Sequence, residues 1–274
     1  MLPSLTTPWL AAILLAALPF TAAQVKSDCD PTERDGCPNN PALGIEYNFN
    51  FNASPPHDTW EQTASGKITY DAEKGAIFTL AKQGESPTLR TRFYFLGGRS
   101  EMHMKCATGR GIISSMMWLS DTLDEVDWEF FGTNETVAAS NYFGKGEEDF
   151  SNGEYHTTDF DIYDDYHNYT SVWTKEKIEW WIDGKSVRTL TKDMAQGGKY
   201  FPQTPARLSL SLWAGGDPRL KEGTRQWAGG DTQYDQGPFE MYVKSIKISD
   251  YSEGAKEYIY TDRSGMWDSI EIVE

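Results

Sequence analysis

The sequence has few basic residues, few histidines and few cysteines for its length. Its 274 residues hold 25 Lys and Arg against 41 Asp and Glu, which gives a formal net charge of −16 at pH 7. Because so acidic a chain offers little to neutralise phosphates, nucleic acid is excluded as a partner. The 4 His have no metal-ligand spacing, and no G-x-S-x-G motif, P-loop or dinucleotide fingerprint occurs. We therefore predict an activity that needs no metal and no cofactor.

Long apolar runs are missing beyond the N-terminus, so the mature chain is predicted to lack a transmembrane segment. The first 23 residues contain no Asp, Glu, Lys or Arg. The run 10–20 is apolar, and Thr21-Ala22-Ala23 has the small residues of a cleavage site. Since this run is too short to span a bilayer, we predict a secretory signal peptide over residues 1–23 and a secreted protein.

Cysteine usage agrees with export. Cys29 and Cys37 enclose a loop rich in proline and glycine, which predicts a small disulfide-closed turn. Cys106 is left over, and we expect it to be a buried, unreactive thiol. Together with a signal peptide, three Asn-x-Ser/Thr sequons predict a glycosylated surface: Asn52, Asn134 and Asn168.

The body of the chain has the pattern of short strands. The segment 45–51 alternates apolar and polar residues, and Asp183-Gly184 is a hairpin signal between two strand-like runs. No amphipathic helix of twelve residues is found, although Thr191–Gly197 allows one or two turns. Further runs are predicted as strands: 67–70, 76–80, 92–96, 112–119, 126–131, 177–182, 185–190, 207–213 and 239–249. We expect an all-β sandwich or jelly roll, a single domain over residues 24–274, and a monomer.

One predicted strand carries three acids on one face. Along residues 125–131 successive side chains point to opposite faces, so Glu125, Asp127 and Glu129 lie together. Three apolar residues alternate with them and would face the core: Val126, Trp128 and Phe130. Two charges roughly 7 Å apart repel by roughly 2.4 kcal/mol at an effective dielectric of about 20, which would move a pKa by nearly two units.

Two interpretations of this strand are open. The acids could line a solvated outer face, where water screens them. Alternatively, they could serve glycoside cleavage with retention, which needs one carboxylate as nucleophile and one carboxylic acid as proton donor. In the second case Asp127 could hydrogen-bond a neighbour and help to hold the protonation states of the two Glu apart.

Glu125-Val126-Asp127-Trp128-Glu129 resembles the E-x-D-x-E motif of glycoside hydrolase family 16. Several other stretches resemble the fungal Crh-type chitin–glucan transglycosylases of that family, from about Cys29 to Tyr251. These stretches are Cys29 to Cys37 followed by Asn40-Pro41-Ala42-Leu43, Gly111-Ile112-Ile113-Ser114-Ser115, Asn141-Tyr142-Phe143-Gly144-Lys145-Gly146, Leu210-Ser211-Leu212-Trp213, Trp227-Ala228-Gly229-Gly230, Gln236-Gly237-Pro238-Phe239 and Met241-Tyr242-Val243-Lys244.

The resemblance implies a β-jelly-roll sandwich of two antiparallel sheets with a concave substrate cleft. It implies Glu125 as nucleophile, Asp127 as its assistant and Glu129 as general acid/base. The implied activity is a secreted retaining transglycosylase that cleaves chitin-type β-1,4 chains and transfers them to chitin or β-glucan in the cell wall. An endo-acting hydrolase (chitinase or glucanase) and a glycan-binding jelly roll without catalysis are the alternatives.

A second strand suggests a sugar-binding surface. Along residues 207–213 three Leu alternate with polar residues, so that Trp213 shares a face with two Ser. An indole can cover the apolar face of a sugar while hydroxyls bind its edges, although a half-buried Trp at a sandwich edge has the same pattern. The resemblance implies chitin contacts and cleft walls at six positions: Trp213, Thr224, Ser209, Trp227, Tyr142 and Phe143.

Crh-type proteins commonly end in a Ser/Thr-rich stretch and an apolar tail that directs a glycolipid anchor. This chain stops at Ile272-Val273-Glu274 with neither feature. We expect either a truncated sequence or a released form, located outside the cell or at the cell wall.

Overall fold

Alternating side chains build two packed sheets. The computed structural model describes residues 29–147 and 149–274, so the predicted signal peptide lies outside the described residues. The strands are β1 (Asn40–Pro41), β2 (Glu46–Asn50), β3 (Trp60–Gln62), β4 (Lys67–Asp71), β5 (Gly75–Leu80), β6 (Thr88–Thr91), β7 (Gly98–Lys105), β8 (Ile112–Ser120), β9 (Glu125–Phe131), β10 (Val137–Phe143), β11 (Glu154–Thr157), β12 (His167–Trp173), β13 (Lys177–Ile182), β14 (Lys185–Thr191), β15 (Ala206–Ala214), β16 (Phe239–Asp250), β17 (Glu257–Tyr260) and β18 (Ile270–Val273). One α-helix, α1 (Glu222–Trp227), and five short 3₁₀ turns complete the described residues.

The strands form a sandwich with a small additional sheet. The front sheet has seven strands in the order β11-β10-β9-β8-β15-β6-β3. The back sheet has eight, in the order β14-β13-β12-β7-β16-β5-β4 with β2 also paired to β16. Strands β1, β17 and β18 form the third sheet, which joins the two ends of the described chain. All pairs of these strands are antiparallel, and β9 lies inside the front sheet between β8 and β10.

Aromatic side chains fill the space between the two large sheets. Trp128 and Phe130 of β9 are fully buried, and the Phe130 ring lies 4.4 Å from the ring of Tyr169 on the back sheet. Trp180 of the back sheet donates its indole N–H to the backbone oxygen of Asp127 at 3.0 Å. The predicted inward face of the acidic strand is therefore confirmed, and the back sheet holds the backbone of that strand in place.

The all-β class and the antiparallel sandwich are confirmed. The predicted hairpin is also present, with Asp183 at φ 46° and Gly184 at φ 78°, the two left-handed residues that join tightly paired twisted strands. At the predicted helical turns 191–197 the chain forms two 3₁₀ turns, Lys192–Met194 and Gln196–Gly198. A longer helix does not form because Gln196 and Gly197 take left-handed φ values of 51° and 67°.

Several strands were not predicted, and one was placed wrongly. Residues 92–96 make only bridge contacts, whereas the strands lie on either side of them, in β6 and β7. In β7 the outward positions are charged or polar, and β10 contains small residues, so neither has a marked apolar alternation. Strand β7 is ordered by pairing with β12 and β16, which are distant in the sequence, and β10 by pairing with β9 and β11, which precede and follow it.

The cysteines behave as expected. Cys29 and Cys37 form a disulfide with Cα atoms 5.5 Å apart, a separation typical of such bridges. Cys106 is free and buried, and burial raises the pKa of its thiol. Its thiol is therefore in the unreactive, protonated form at neutral pH.

In the part of the chain that the structure describes, no helix is long and apolar enough to cross a membrane. The same residues contain no group of three or more His, Cys, Asp or Glu that could hold a metal ion.

Trp128 anchors β9 to the core, which allows a stability test. Replacement of Trp128 by Ala leaves a large cavity between the sheets, so we expect the free energy of unfolding to fall by about 3–5 kcal/mol. Urea denaturation measures it. As a control, Tyr251→Ala removes a side chain that is 54% exposed and should change stability by less than about 0.5 kcal/mol. Equal stabilities of the two variants would contradict the anchoring role.

Candidate active site

Three acids of β9 lie on the outer face of the front sheet yet are shielded from water. Glu125 is 9% exposed and Asp127 4%, while Glu129 is half-buried. A solvated row of acids would be exposed, so this burial argues against the interpretation as an ordinary outer face. Neighbouring parts of the protein therefore cover much of the surface of these acids.

The strand register places each acid in a row of outward side chains. Strand β8 lies on one side of β9 and strand β10 on the other, about 4.8 Å away in each case. The rows consist of Ser115, Glu129 and Ala139; of Met117, Asp127 and Asn141; and of Leu119, Glu125 and Phe143. These side chains form the floor of the candidate site.

Two of the three acids have raised pKa values. Burial, and then the negative charge of Glu125, raises the pKa of Glu129 to about 8. The pKa of Asp127 is raised well above its usual range by burial, by the charges of Glu125 and Glu129, and by a hydrogen bond to the Glu125 side chain. At neutral pH Glu129 therefore retains a proton that it can donate, and a protonated Asp127 can donate a hydrogen bond to Glu125.

Buried polar contacts fix the turn that leads into β9. The Asp124 carboxylate accepts hydrogen bonds from the backbone N–H groups of Lys145 and Gln203, both at 2.9 Å, and from the Thr204 hydroxyl at 2.7 Å. These bonds join the turn to two loops on either side of it. Glu125 is the next residue, so its position is restrained both by this fixed turn and by the pairing of β9 in the sheet.

Strand β15 presents the predicted polar face to the same surface. Its three Leu side chains are fully buried, whereas Ser209 and Trp213 lie on the opposite face, in register with Met117 and Ile113 of β8. The hydroxyls of Ser211 and Ser115 lie 2.7 Å apart. Ser209 and Trp213 are therefore brought to the surface that carries the acids.

An aromatic cluster lies at the Glu129 end of this surface. The ring of Trp213 stacks on that of Trp227 with centroids 6.0 Å apart, and Trp227 meets Phe131 at 5.0 Å. Thr224 precedes Trp227 by three residues on α1 and so lies on the same side of the helix. Sequence reasoning missed Phe131, although it continues the alternation of the three acids.

The two remaining predicted wall residues fall on opposite faces. Phe143 is in register with Glu125 and shares its face. Tyr142 is in register with Val126 and belongs to the buried core, where the Arg188 guanidinium lies over its ring at 5.5 Å. The prediction of Tyr142 as a cleft wall is therefore wrong, because adjacent residues of a strand cannot face the same side.

The far side of the front sheet is charged. Arg90 pairs with Glu61 at 2.7 Å and is in register with Ser209. The Arg207 guanidinium lies 4.9 Å from the ring centre of Tyr94 and 3.6 Å from Glu61. This side of the surface therefore offers guanidinium groups and hydroxyls for hydrogen bonds, in contrast to the aromatic cluster near Glu129.

The three sequons differ in their surroundings. Asn52 and Asn134 are exposed in turns, whereas Asn168 lies within β12 and is half-buried. The Asn168 side-chain oxygen accepts a hydrogen bond from the Thr170 hydroxyl at 2.6 Å. A glycan would be attached to the Asn168 side-chain nitrogen, which donates to the Glu101 carboxylate at 3.4 Å, so attachment would alter that second contact. Glycosylation at all three positions stays a prediction.

The raised pKa of Glu129 predicts a pH-dependent gain in stability when its charge is removed. The ordinary pKa of 4.5 applies to the unfolded chain and about 8 to the folded one, so the folded state binds more protons between these pH values. Stability should therefore fall as pH rises through that window. We expect Glu129→Gln to raise the free energy of unfolding by about 2–4 kcal/mol at pH 8.5 and to leave it nearly unchanged at pH 4.

Urea unfolding at the two pH values measures this difference. Glu253→Gln, which alters an exposed glutamate outside the site, is the matched control and should behave as the wild type does. A gain of the same size at both pH values would show that burial of the ionised form is not its cause.

Comparison with known proteins agrees with this geometry. The sequence profile of glycosyl hydrolases family 16 matches residues 57–229. Crh-like protein 2 of Botryotinia fuckeliana is 46% identical over 257 residues, which are 93% of this chain and 56% of that protein. The chain thus spans little more than half the length of that relative.

Solved structures show the same similarity. Crh5 transglycosylase, solved both in the apo form and in complex with NAG, superposes with a TM-score of 0.85 at 46% identity over 89% of this chain and 100% of that chain. A Bacillus licheniformis β-glucanase is only 20% identical, with a TM-score of 0.64 over 76% of this chain and 99% of that chain, and so shares the fold alone.

Proposed function

Since the chain belongs to glycosyl hydrolases family 16, among the Crh-like proteins, we propose that it is a retaining transglycosylase of the cell wall. Its donor would be a chitin-type β-1,4 chain, and its acceptor chitin or a β-glucan. The observation that carries the proposal is the shielded strand face that holds Glu125 together with Glu129, an acid whose raised pKa keeps its proton at neutral pH. The relative solved as a transglycosylase in complex with NAG supports the choice of reaction and donor.

The first step breaks the glycosidic bond. Glu129, which holds its proton at neutral pH, donates it to the departing sugar oxygen while Glu125 attacks the anomeric carbon. Asp127 stabilises the arrangement because its hydrogen bond to Glu125 orients that carboxylate before attack. The product is a glycosyl ester on Glu125 and an ionised Glu129.

The second step transfers the sugar. Ionised Glu129 removes a proton from an incoming hydroxyl, whose oxygen bonds to the anomeric carbon as the ester to Glu125 breaks. Water can take the place of the acceptor sugar, which would make the enzyme a hydrolase. Aromatic side chains near Glu129 support transfer, because apolar surfaces that position an acceptor sugar raise its effective concentration over that of water.

A glycan-binding protein without catalysis is the less well supported alternative. A neutral sugar can be bound by hydroxyl, amide and aromatic groups without any buried acid. Burying three acids on one strand opposes folding at neutral pH, and the raised pKa values of Asp127 and Glu129 reflect that cost. Catalysis gives this arrangement a use that binding alone does not.

The setting of the enzyme belongs to the same proposal. Residues 24–274 would form one catalytic domain, exported after removal of residues 1–23 and acting as a monomer at the cell wall. The Cys29–Cys37 disulfide supports an oxidising location outside the cell. Glycosylation at the exposed sequons Asn52 and Asn134 would be compatible with that location.

Removal of either catalytic carboxylate tests the reaction. With chitin oligomers as donor and a fluorescent glucan or chitin oligomer as acceptor, we expect Glu125→Gln and Glu129→Gln each to lower labelled product on the order of a thousandfold. Both variants should remain folded and still bind chitin oligomers. The control Glu253→Gln should keep wild-type activity. Near-normal turnover by Glu125→Gln would refute its role as the nucleophile, and shorter oligomers without labelled product would indicate hydrolysis.

The pH profile tests the role of Glu129 separately. Because the general acid must be protonated in the free enzyme, kcat/KM should fall as pH rises through the pKa of Glu129, near 8. Initial rates of chitin-oligomer cleavage between about pH 5 and pH 10 measure this limb. An unchanged kcat/KM up to about pH 10 would show that Glu129 is not the proton donor.

A further inference from the structure

An exposed aromatic residue lies on the side of the catalytic strand away from Trp213. Tyr155 of β11 is 62% exposed. It is in register with Ala139 of β10, which is in register with Glu129 of β9. Since strands are about 4.8 Å apart, the backbones of Tyr155 and Glu129 lie about 10 Å apart, close to the width of one or two sugar rings. Only the methyl group of Ala139 stands between them in this row.

Tyr155 is held firmly despite its exposure. Its ring lies 5.9 Å from that of Phe131, which is 5% exposed and belongs to the aromatic cluster near Glu129. The next residue, His156, points into the sandwich, where its Nε2 atom lies 2.8 Å from the Ser140 hydroxyl. Arg188 of the back sheet donates hydrogen bonds to the backbone oxygens of Ser140 and Asn152, at 3.0 and 2.7 Å. Arg188 also pairs with Glu154 of β11 at 3.4 Å, so the edge strand that carries Tyr155 is linked to the other sheet.

The catalytic strand therefore has an aromatic residue on either side, each two strands away. Trp213 lies on β15, beyond β8, and Tyr155 lies on β11, beyond β10. A transfer reaction needs two binding arms, one for the donor and one for the acceptor, which meet at the acid/base residue. Tyr155 shares its row with Glu129, the group that contacts the departing and the incoming oxygen, and not with Glu125, which bonds the donor.

We propose that Tyr155 is the platform on which the acceptor saccharide stacks, and that it determines how much of the glycosyl-enzyme reacts with sugar instead of water. This inference rests on the proposed function. The acceptor is a neutral β-linked glycan, because the row between Tyr155 and Glu129 contains no charged side chain and the whole protein carries a net charge of −16. In the step that Tyr155 promotes, the acceptor oxygen bonds to the anomeric carbon, the ester to Glu125 breaks, and the acceptor proton goes to Glu129.

The test separates acceptor binding from donor cleavage. An aryl β-glycoside of a chitin oligomer serves as donor, because its leaving group is not a sugar and does not need the acceptor arm. Release of the aryl alcohol without acceptor measures formation and hydrolysis of the glycosyl-enzyme, and labelled chitin or β-glucan oligomers measure transfer. We expect Tyr155→Ala to keep aryl release within about twofold of wild type, and to raise the acceptor KM and lower the transfer-to-hydrolysis ratio about tenfold.

Matched variants exclude a purely structural effect. Tyr155→Leu retains apolar contact with Phe131 but lacks a flat ring, so it should show the same loss of transfer, whereas Tyr155→Phe and Tyr155→Trp should retain most of it. Tyr251→Ala, at another exposed tyrosine, which follows β16, should behave as wild type. The thermal midpoint of each variant is measured alongside.

Two results would overturn the proposal. A higher donor KM with an unchanged acceptor KM would place Tyr155 on the donor side, and no change in either would leave it without a role in sugar binding. Failure of the proposed function would give a different result from these two. If the protein is not a retaining glycosidase or transglycosylase, neither the wild type nor any variant at position 155 releases aryl alcohol.

Discussion

The burial of three acids on one short strand is the constraint around which this structure is arranged. Like charges so close together repel, and burial removes the water that would screen them. The strand tolerates this because two of the acids retain protons, as the raised pKa values of Asp127 and Glu129 indicate. The burial of the acids, which opposes folding, is therefore also what keeps a proton on the donor next to the nucleophile.

The rest of the sandwich keeps that strand from relaxing. Trp128 and Phe130 fasten its inner face to the aromatic core, and the Trp180 indole bonds to the Asp127 backbone from the opposite sheet. Immediately before the strand, the buried carboxylate of Asp124 accepts three hydrogen bonds. Catalytic groups must be held within a fraction of an ångström, and a strand inside a sheet with a packed inner face provides that rigidity better than a loop does.

Polar and aromatic side chains are unevenly distributed around the acids on the outer surface of the front sheet. Hydroxyl groups and guanidinium groups lie over β15, β6 and β3, and aromatic rings gather near Glu129 on both sides of β9. Hydroxyls and rings are the two kinds of group that recognise the edges and the faces of sugars. Membership of glycosyl hydrolases family 16 and the similarity to a solved Crh5 transglycosylase agree with such a surface.

The sequence alone determined those features that depend on neighbouring residues. Strict alternation of side chains predicted that the three acids of β9 share one face, and that the three Leu of β15 share the buried face of that strand. The Asp183-Gly184 turn and the Cys29–Cys37 bridge were predicted from local composition. The tertiary structure decided which strands lie side by side, because pairing is set by contacts between distant parts of the chain. Only the tertiary structure shows weakly patterned strands such as β10 and the position of Tyr142 in the core. It also shows that Phe131 and Tyr155 lie near the acids, and that burial raises the pKa of Glu129. Alternation tells which residues share a face, but only the register between strands tells which of them meet.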